Sequence, residues 1–226
     1  MIRIEAHQVC RYFHEARKDE VRALERISLT IPEGGFQVLV GPSGSGKSTL
    51  LAMLGALDRA TSGRIVFDGQ DLSDCSDVEL ARVRRRVGFV FQNLSLVPRL
   101  PNWENITYPL VPRGVPRAQR LEIARDLMNR FGILDKLVAC PEELSMGEQQ
   151  RVAVARALAA GPDAILADEP TSSLDRRAAD DFFAILNDLH ASGKTLVVAT
   201  HDPALIELAT AVAELDRGTL VRTSSD

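Results

Sequence analysis

The stretch Gly41-Pro42-Ser43-Gly44-Ser45-Gly46-Lys47-Ser48-Thr49 decides the fold of this chain. It matches the pattern Gly-x-x-x-x-Gly-Lys-Ser/Thr and joins an apolar run typical of a buried strand (36–40) to one typical of a helix (50–54). In such a loop successive backbone N–H groups turn inward, and the helix N-terminus adds partial positive charge. Lys47 can then reach the β- and γ-phosphates, and the Ser48 hydroxyl is placed to bind Mg²⁺. The segment therefore predicts binding of a nucleoside triphosphate; a chance glycine–serine turn is the weaker alternative.

The composition is that of a near-neutral chain with an aliphatic core. The chain has 226 residues, of which 45% are hydrophobic and 5% aromatic, and a formal net charge of -4 at pH 7. These values predict one large α/β domain or a core with an inserted subdomain. The small net charge predicts no sequence-independent binding of nucleic acid. The densest basic cluster, residues 82–86, is interpreted as a solvated helix face, with a partner contact as the alternative.

The cysteines and the apolar runs indicate the compartment. Cys10, Cys75 and Cys140 are widely spaced and form no metal-binding pattern, so we expect reduced thiols in a cytoplasmic protein. The N-terminus lacks the apolar core of a signal peptide. No apolar run approaches the roughly 18–20 residues needed to cross a bilayer. If the protein serves a membrane process, we expect another chain to span the membrane.

The order of predicted elements is typical of an α/β fold. Residues 1–35 read as short strand-like pieces, and the proline-rich segment 93–116 reads as a loop-rich insertion. Further strands are predicted at 63–69, 87–91, 164–167 and 196–199, and helices at 116–132, 145–161 and 176–190. The last two strands are separated by a helix, which predicts a parallel βαβ unit.

Two carboxylates, Asp168 and Glu169, follow the predicted strand 164–167. An acidic residue at the end of a buried strand suits Mg²⁺, held directly or through water. A second carboxylate one residue later can polarise an attacking water molecule. Two exposed loop carboxylates are the alternative, but the phosphate-binding loop upstream favours a hydrolytic site.

The segment Leu144-Ser145-Met146-Gly147-Glu148-Gln149-Gln150-Arg151 (the signature segment) makes the reading more specific. Together with the loop 41–49, it makes the chain similar, over essentially its whole length, to the nucleotide-binding subunit of an ATP-binding cassette (ABC) transporter. The resemblance implies an α/β P-loop NTPase fold: a RecA-like parallel sheet core, an N-terminal antiparallel β subdomain and an inserted helical subdomain. It also implies one ABC ATPase domain over 1–226. The core with its β subdomain is expected at 1–92 and 162–226, and the helical subdomain at about 93–161.

The resemblance assigns roles by position. Those implied as catalytic are Glu169 (the base), His201 (the switch histidine at the γ-phosphate), Gln92 (the Q-loop glutamine) and Lys47. Those implied as Mg²⁺ ligands are Ser48, Gln92 and the Walker B aspartate Asp168. Beyond the loop 41–49, the implied ATP contacts are Ser145, Gly147 and Asp175, the last from the D-loop Ser173-Leu174-Asp175. The adenine is expected to stack on an aromatic residue near the N-terminus, for which Tyr12 and Phe13 both qualify and Phe13 is favoured.

The signature segment departs from the commonest form, Leu-Ser-Gly-Gly-Gln, at Met146 and Glu148. Ser145 stands where a helix N-cap is expected and Glu148 lies three residues on, which predicts a capping box. The segment would then present a helix N-terminus to an anion, as the family requires. The consequence of Met146 stays open.

This geometry implies an oligomer and a partner. If Ser145 completes a site whose phosphates lie on Lys47 of another copy, two chains should close head-to-tail around two ATP molecules and part on hydrolysis. The resemblance implies that this homodimer drives an integral membrane permease of FtsX- or MacB-like type, on the cytoplasmic face of the inner membrane. The segment 93–116, directly after Gln92, is the expected coupling surface; a passive surface loop is the alternative.

Three further stretches, at 22–29, 87–92 and 166–171, look like the LolD-, MacB- and FtsE-like group within the family. We therefore expect a role in export, lipoprotein release or envelope remodelling. Two alternatives remain: an amino-acid-type importer ATPase, and a soluble cassette ATPase that acts on a cytosolic assembly. Co-purification of an integral membrane protein would separate the membrane-coupled readings from the soluble one.

Overall fold

The computed structural model describes residues 2–14, 20–172 and 174–225. The strands are β1 (Ile4–Phe13), β2 (Val21–Ile31), β3 (Phe36–Val40), β4 (Ser62–Phe67), β5 (Gln70–Asp71), β6 (Val87–Val90), β7 (Ala164–Asp168), β8 (Thr195–Ala199), β9 (Ala211–Asp216) and β10 (Thr219–Ser225). The helices are α1 (Lys47–Leu54), α2 (Asp77–Arg84), α3 (Asn102–Thr107), α4 (Arg117–Arg130), α5 (Met146–Leu158), α6 (Arg176–Ala191) and α7 (Pro203–Leu208). Short 3-10 helices cover Tyr108–Arg113, Leu134–Lys136 and Pro141–Glu143.

A six-stranded sheet forms the centre of the molecule, in the order β10-β9-β3-β8-β7-β6. Strands β9, β3, β8, β7 and β6 are parallel, and β10 pairs antiparallel with β9. The predicted βαβ unit is confirmed, because β7 and β8 are adjacent and parallel and α6 connects them. Since parallel strands end at one edge of a sheet, the loops after β3, β7 and β8 meet there.

The second sheet is antiparallel, in the order β2-β1-β4-β5. Its first two strands have 10 and 11 residues, so the predicted series of short pieces is wrong. The register shifts between Ala6 and Val9, and both Gln8 and Arg26 have positive φ (49° and 52°). Such bulges interrupt the alternation of inward and outward side chains, which explains why a long strand resembles several short ones.

The segment 93–116 is more ordered than predicted, because α3 and a 3-10 helix occupy its second half. Several of its prolines lie at helix starts: Pro101 is the N-cap residue of α3, and Pro109 lies in the first turn of the 3-10 helix. The buried side chain of Asn105 fixes the preceding chain by donating to the carbonyls of Val97 and Leu100.

Two other predictions need correction. Helix α5 ends at Leu158, short of the predicted end at 161. The basic cluster is only partly a helix face, because Arg86 lies beyond α2, where it pairs with Asp68 (2.9 Å) and Asp163 (2.7 Å). The predicted helix at 116–132 is confirmed as α4.

Two hydrophobic clusters hold the elements together. One joins the antiparallel sheet and α1 to the central sheet, and the other joins the helices α3 to α6 to the opposite side of that sheet. All three cysteines are free thiols. Within the described ranges, no helix has both the length and the apolar character that crossing a bilayer requires.

Candidate nucleotide-binding and hydrolysis site

The loop 41–46 between β3 and α1 has backbone angles that only glycine accepts at two positions. Gly41 has a φ of 143°, and a Cβ added there would lie 2.1 Å from the carbonyl oxygen of Leu215. Gly46 has a φ of 103°, and its added Cβ would lie 2.6 Å from the carbonyl oxygen of Ala23. The glycines thus allow neighbouring backbone to approach closely while the N-terminus of α1 stays open, which is the geometry that phosphate binding requires.

Lys47, the first residue of α1, is directed back over this loop. Its Nζ donates to the carbonyl oxygens of Gly41 (2.7 Å) and Pro42 (3.2 Å) and lies 3.9 Å from Oε1 of Glu169. The residue is buried, and the ammonium group lies between the loop and the end of the central sheet. A buried ammonium in this position attracts an anion bound at the start of α1.

Asp168 is the last residue of β7 and has a perturbed carboxyl group. Burial raises its pKa, and a hydrogen bond from the Ser48 hydroxyl opposes that rise. Its Oδ1 atom is buried and accepts no hydrogen bond from the described residues. A buried carboxylate oxygen beside a hydroxyl oxygen offers two hard ligands, and a divalent cation would satisfy the uncompensated charge.

Glu169 turns out of the sheet directly after β7, with a φ of 43°. Its backbone N–H donates to the carbonyl oxygen of Ala199, and its Oε2 lies 3.0 Å from Nδ1 of His201. A non-glycine residue in the left-handed region costs about 1–3 kcal/mol, and such strain is concentrated at functional sites. The strained turn places the carboxylate of Glu169 between Lys47 and His201.

These residues enclose one cavity, called here the P-loop cavity, with a volume of about 460 Å³. The predicted site residues that line it are Gly41, Ser43, Gly44, Ser45, Gly46, Lys47, Ser48, Thr49, Gln92, Glu169 and His201. Sequence reasoning missed Val21, Arg22, Ala23 and Ser172, which also line it. Five predicted residues are not among its described lining: Phe13, Ser145, Gly147, Asp168 and Asp175. The P-loop, the carboxylate and the histidine therefore converge within one chain, whereas the signature segment lies elsewhere.

The two candidate adenine-stacking rings differ in their surroundings. Tyr12 has the guanidinium of Arg22 5.3 Å from its ring centre, and a hydrogen bond to Cys10 raises its pKa. Phe13 is 36% exposed and pairs across the sheet with Val21, which lines the P-loop cavity. Tyr12 pairs in the same way with Arg22, which also lines that cavity, so the strand pairing does not separate the two rings and the choice of Phe13 stays a prediction.

The predicted capping box at the signature segment is confirmed. The Ser145 hydroxyl accepts from the N–H of Glu148 (3.3 Å), and Oε2 of Glu148 accepts from the N–H of Ser145 (2.8 Å). The hydrogen bonds from the Ser145 backbone and hydroxyl lower the pKa of Glu148. Ser145 is exposed, and Met146 beside it is 44% exposed. The start of α5 is thus a preformed, exposed helix N-terminus that lies outside the described lining of its own P-loop cavity.

The D-loop residues show a local role that the sequence reading did not include. Asp175 is the N-cap of α6 and accepts from the N–H of Ala178 (2.9 Å). The start of α6 lies against the start of α5, because a Cβ added at Gly147 would be 3.0 Å from Cβ of Ala178. The predicted D-loop residue Ser173 lies outside the described residues.

Comparisons with known proteins agree with this geometry. The family model described as ABC transporter matches residues 24–172. An uncharacterized ABC transporter ATP-binding protein of Thermotoga maritima is 44% identical over 200 residues, covering 88% of this chain and 86% of that protein. The macrolide export ATP-binding/permease protein MacB of Hyphomonas neptunium is 42% identical over 224 residues, covering 99% of this chain and 35% of its own length. This chain therefore spans about a third of that relative.

Among solved structures, the dimeric structure of MJ0796, described as a bacterial ABC transporter cassette, superimposes with a TM-score of 0.91. The two sequences are 36% identical, and 98% of each chain is covered. A second structure of that cassette, in a dimeric post-hydrolysis state with ADP and Pi, gives the same TM-score at 35% identity. The predicted fold, a P-loop core with an antiparallel β subdomain and a helical subdomain, is confirmed. The chain belongs to the ABC transporter family, in which it is an ATP-hydrolysing cassette of the group that includes the MacB cassette and MJ0796.

Proposed function

We propose that this chain works as a head-to-tail homodimer that hydrolyses ATP with Mg²⁺ and powers a membrane permease. One observation carries the proposal: the described lining of the P-loop cavity contains no residue of the signature segment, although the start of α5 is exposed and capped. A site that needs this second helix end must take it from another copy. Ser145, Gly147 and Asp175 of one chain would then complete the P-loop cavity of its partner. The dimeric form of the MJ0796 cassette supports this arrangement.

In the proposed site, Ser48, Asp168 and Gln92 hold Mg²⁺. The donor set fits, because the buried Oδ1 of Asp168 has no hydrogen bond and the Ser48 hydroxyl is beside that carboxyl group. When bound, Mg²⁺ supplies neutralisation of charge on the β- and γ-phosphate oxygens. Its positive charge would also oppose the effect of burial, which favours the protonated form of Asp168.

Glu169 is the proposed general base. Its carboxylate lies at the cavity wall, and one oxygen is held by Nδ1 of His201. This fixes the other oxygen on the side of Lys47, where it can accept a proton from a water molecule that attacks the γ-phosphate. The loop N–H groups and Lys47 bind the triphosphate, and Phe13 stacks on the adenine. The positions of Lys47, Glu169 and His201 in the cavity support their proposed roles, whereas the role of Phe13 rests on the family resemblance.

A mixing experiment tests the composite site. Lys47→Ala removes the phosphate-binding ammonium, and Ser145→Arg fills the capped helix start, so each variant alone should be inactive. In a mixed dimer both lesions fall in one composite site, and the other site is intact. By statistical pairing in a twofold-symmetric dimer, mixing should restore up to about a quarter of the wild-type ATPase rate. If the mixture stays as inactive as the separate variants, the composite site is wrong.

The proposed permease contact is a groove between the central sheet and the helical segment 93–161, which we propose as the helical subdomain. This coupling groove has a volume of about 410 Å³. Its lining is basic and apolar. It contains four arginines (Arg84, Arg85, Arg113 and Arg156), two stacked rings (Phe89 and Phe91, 4.5 Å apart), Pro109, Pro112 and small apolar residues. The described lining contains no carboxylate. This chemistry fits a short amphipathic helix that carries an acidic side chain next to apolar ones.

Site-specific crosslinking tests this contact and the proposed location on the cytoplasmic face of the membrane. A photoreactive residue at exposed Val111, in the 3-10 helix that borders the groove, should crosslink to an integral membrane protein in isolated membranes. The same residue at Val221, an exposed valine on β10 that is slightly more accessible than Val111, should not. Arg85→Glu should weaken the crosslink from position 111. A crosslink only to a soluble protein would instead favour the soluble cassette ATPase.

A further inference from the structure

Arg11 lies between a carboxylate and an aromatic ring, and neither of these contacts belongs to the phosphate-binding machinery. Its Nε and Nη2 atoms donate to the two carboxylate oxygens of Asp58, at 2.8 and 3.0 Å. Its Cζ atom lies 4.4 Å from the centre of the Phe13 ring. The Arg11 and Asp58 side chains are 24% and 31% exposed, so the pair is partly shielded from water. A bidentate pair of this kind fixes the plane of the guanidinium, which in turn can fix the ring that it covers.

We propose that Arg11, held by Asp58, is a positioning residue that sets the Phe13 ring for stacking against the nucleotide base. The inference rests on the proposed function of Phe13 and deepens it. The guanidinium covers one face of the ring, and Phe13 as a residue is still 36% exposed, so we take the opposite face of the ring as the one offered to a base. A ring that is already fixed loses less conformational freedom when a base stacks on it.

The anchor of Arg11 is connected to the phosphate-binding loop. Asp58 follows α1, the helix whose first residue is Lys47, and the N–H of Asp58 donates to the carbonyl oxygen of Ala52 within that helix. Phe13 comes from β1, in the antiparallel sheet. The Asp58–Arg11 pair therefore ties the base-stacking ring to the element that holds the phosphates. Through this connection, the Phe13 ring would keep a fixed distance from the phosphate-binding loop, so that one nucleotide can contact both.

A comparison of ADP with inorganic pyrophosphate tests the inference, because only ADP has a base and neither compound is hydrolysed by the cassette. Arg11→Met keeps an unbranched stem but loses the cation and the bidentate bonds. It should weaken ADP binding about two- to tenfold, the range that corresponds to a cation–π contact, while pyrophosphate binding is unchanged. Arg11→Lys should retain part of the ADP affinity that Arg11→Met loses, because lysine keeps the positive charge but lacks the bidentate guanidinium. Asp58→Asn should weaken ADP binding in the same selective way.

Isothermal titration of the purified chain gives both dissociation constants, and Arg3→Met is the matched control. Arg3 immediately precedes β1 and pairs with Glu5 on the surface, far more exposed than Arg11, so its replacement should change neither constant. Equal losses of ADP and pyrophosphate binding in Arg11→Met would show a general structural role and overturn the inference, as would no change in either.

Phe13→Ala separates this inference from the function on which it rests. If Phe13→Ala weakens ADP binding and Arg11→Met does not, the ring stacks on the base without help from Arg11, and only the inference fails. If Phe13→Ala leaves ADP binding unchanged, the stacking role of Phe13 fails as well, and Tyr12→Ala then tests the other ring.

Discussion

Replacing Glu169 by Gln removes the proposed base with minimal change of shape. The amide keeps an oxygen that can accept from Nδ1 of His201, and the positive φ of the residue is tolerated equally by both side chains. What is lost is the proton acceptor and the negative charge near Lys47. Loss of a general base lowers a rate by about 10²–10⁴, or about 3–5 kcal/mol of transition-state stabilisation. Binding of ATP should persist, because the loop N–H groups and Lys47 are unchanged.

Two measurements on Glu169→Gln check this reasoning. Phosphate release should fall by the factor above, and size-exclusion chromatography with light scattering should detect a stable dimer in the presence of ATP. Glu207→Gln is the matched control, because Glu207 is an exposed glutamate on α7 outside the P-loop cavity. A Glu169→Gln enzyme that hydrolyses ATP at the normal rate would refute the assignment of the base. A slow enzyme that stays monomeric with ATP would refute the link between turnover and dimer separation.

Three other substitutions have defined outcomes. Gly46→Ala should abolish nucleotide binding and lower the free energy of unfolding by about 1–3 kcal/mol, because the added Cβ would meet the carbonyl oxygen of Ala23. Gly161→Ala is the control: Gly161 has a φ of 64° and open space around it, so the free energy of unfolding, measured by denaturant titration, should fall by less. Glu148→Ala should lower the free energy of unfolding by about 1 kcal/mol at pH 7. The hydrogen bonds lower the pKa of Glu148, so this stabilisation is present above the ordinary pKa of about 4.3 and is lost as the pH falls through the lowered pKa. Unfolding titrations at several pH values should therefore show that the difference in free energy of unfolding between wild type and variant decreases at acidic pH. In Arg156→Met, the ATPase rate should fall by a larger factor than the affinity for ADP when both are measured on the same preparation.

Much of the fold and of the site was predictable, because the decisive signals are local. The loop 41–49 carries its own geometry, since glycine spacing and a following helix are written in consecutive residues. The capping box at Ser145 is equally local, because serine and glutamate three residues apart satisfy each other's N–H groups. The positions of Asp168 and Glu169 after an apolar strand followed from the same kind of short-range pattern.

The rest could not be predicted, because it depends on contacts between distant residues. Glu169 has a left-handed backbone, and its N–H bonds to Ala199, 30 residues away in another strand, a contact that the local sequence does not reveal. The Arg11–Asp58 pair joins residues 47 positions apart, and nothing in either neighbourhood marks it. The helices within 93–116 were missed for another reason: proline both begins and breaks helices, and only the surrounding packing decides which.

Helix α5 connects the two regions that the proposed cycle must coordinate. Its N-cap Ser145 offers the helix end to the partner, and near its other end Arg156 donates to the carbonyl oxygens of Leu94 and Ser95, just after Gln92. Burial lowers the pKa of Arg156, and no ion-pair partner for it is found in the described part of the chain. Moving α5 without the Leu94–Ser95 segment would leave the partly buried guanidinium of Arg156 without these two acceptors, which is unfavourable. The signature end, the segment after Gln92 and the coupling groove should therefore move together, so that a change at the γ-phosphate is transmitted to whatever helix occupies that groove.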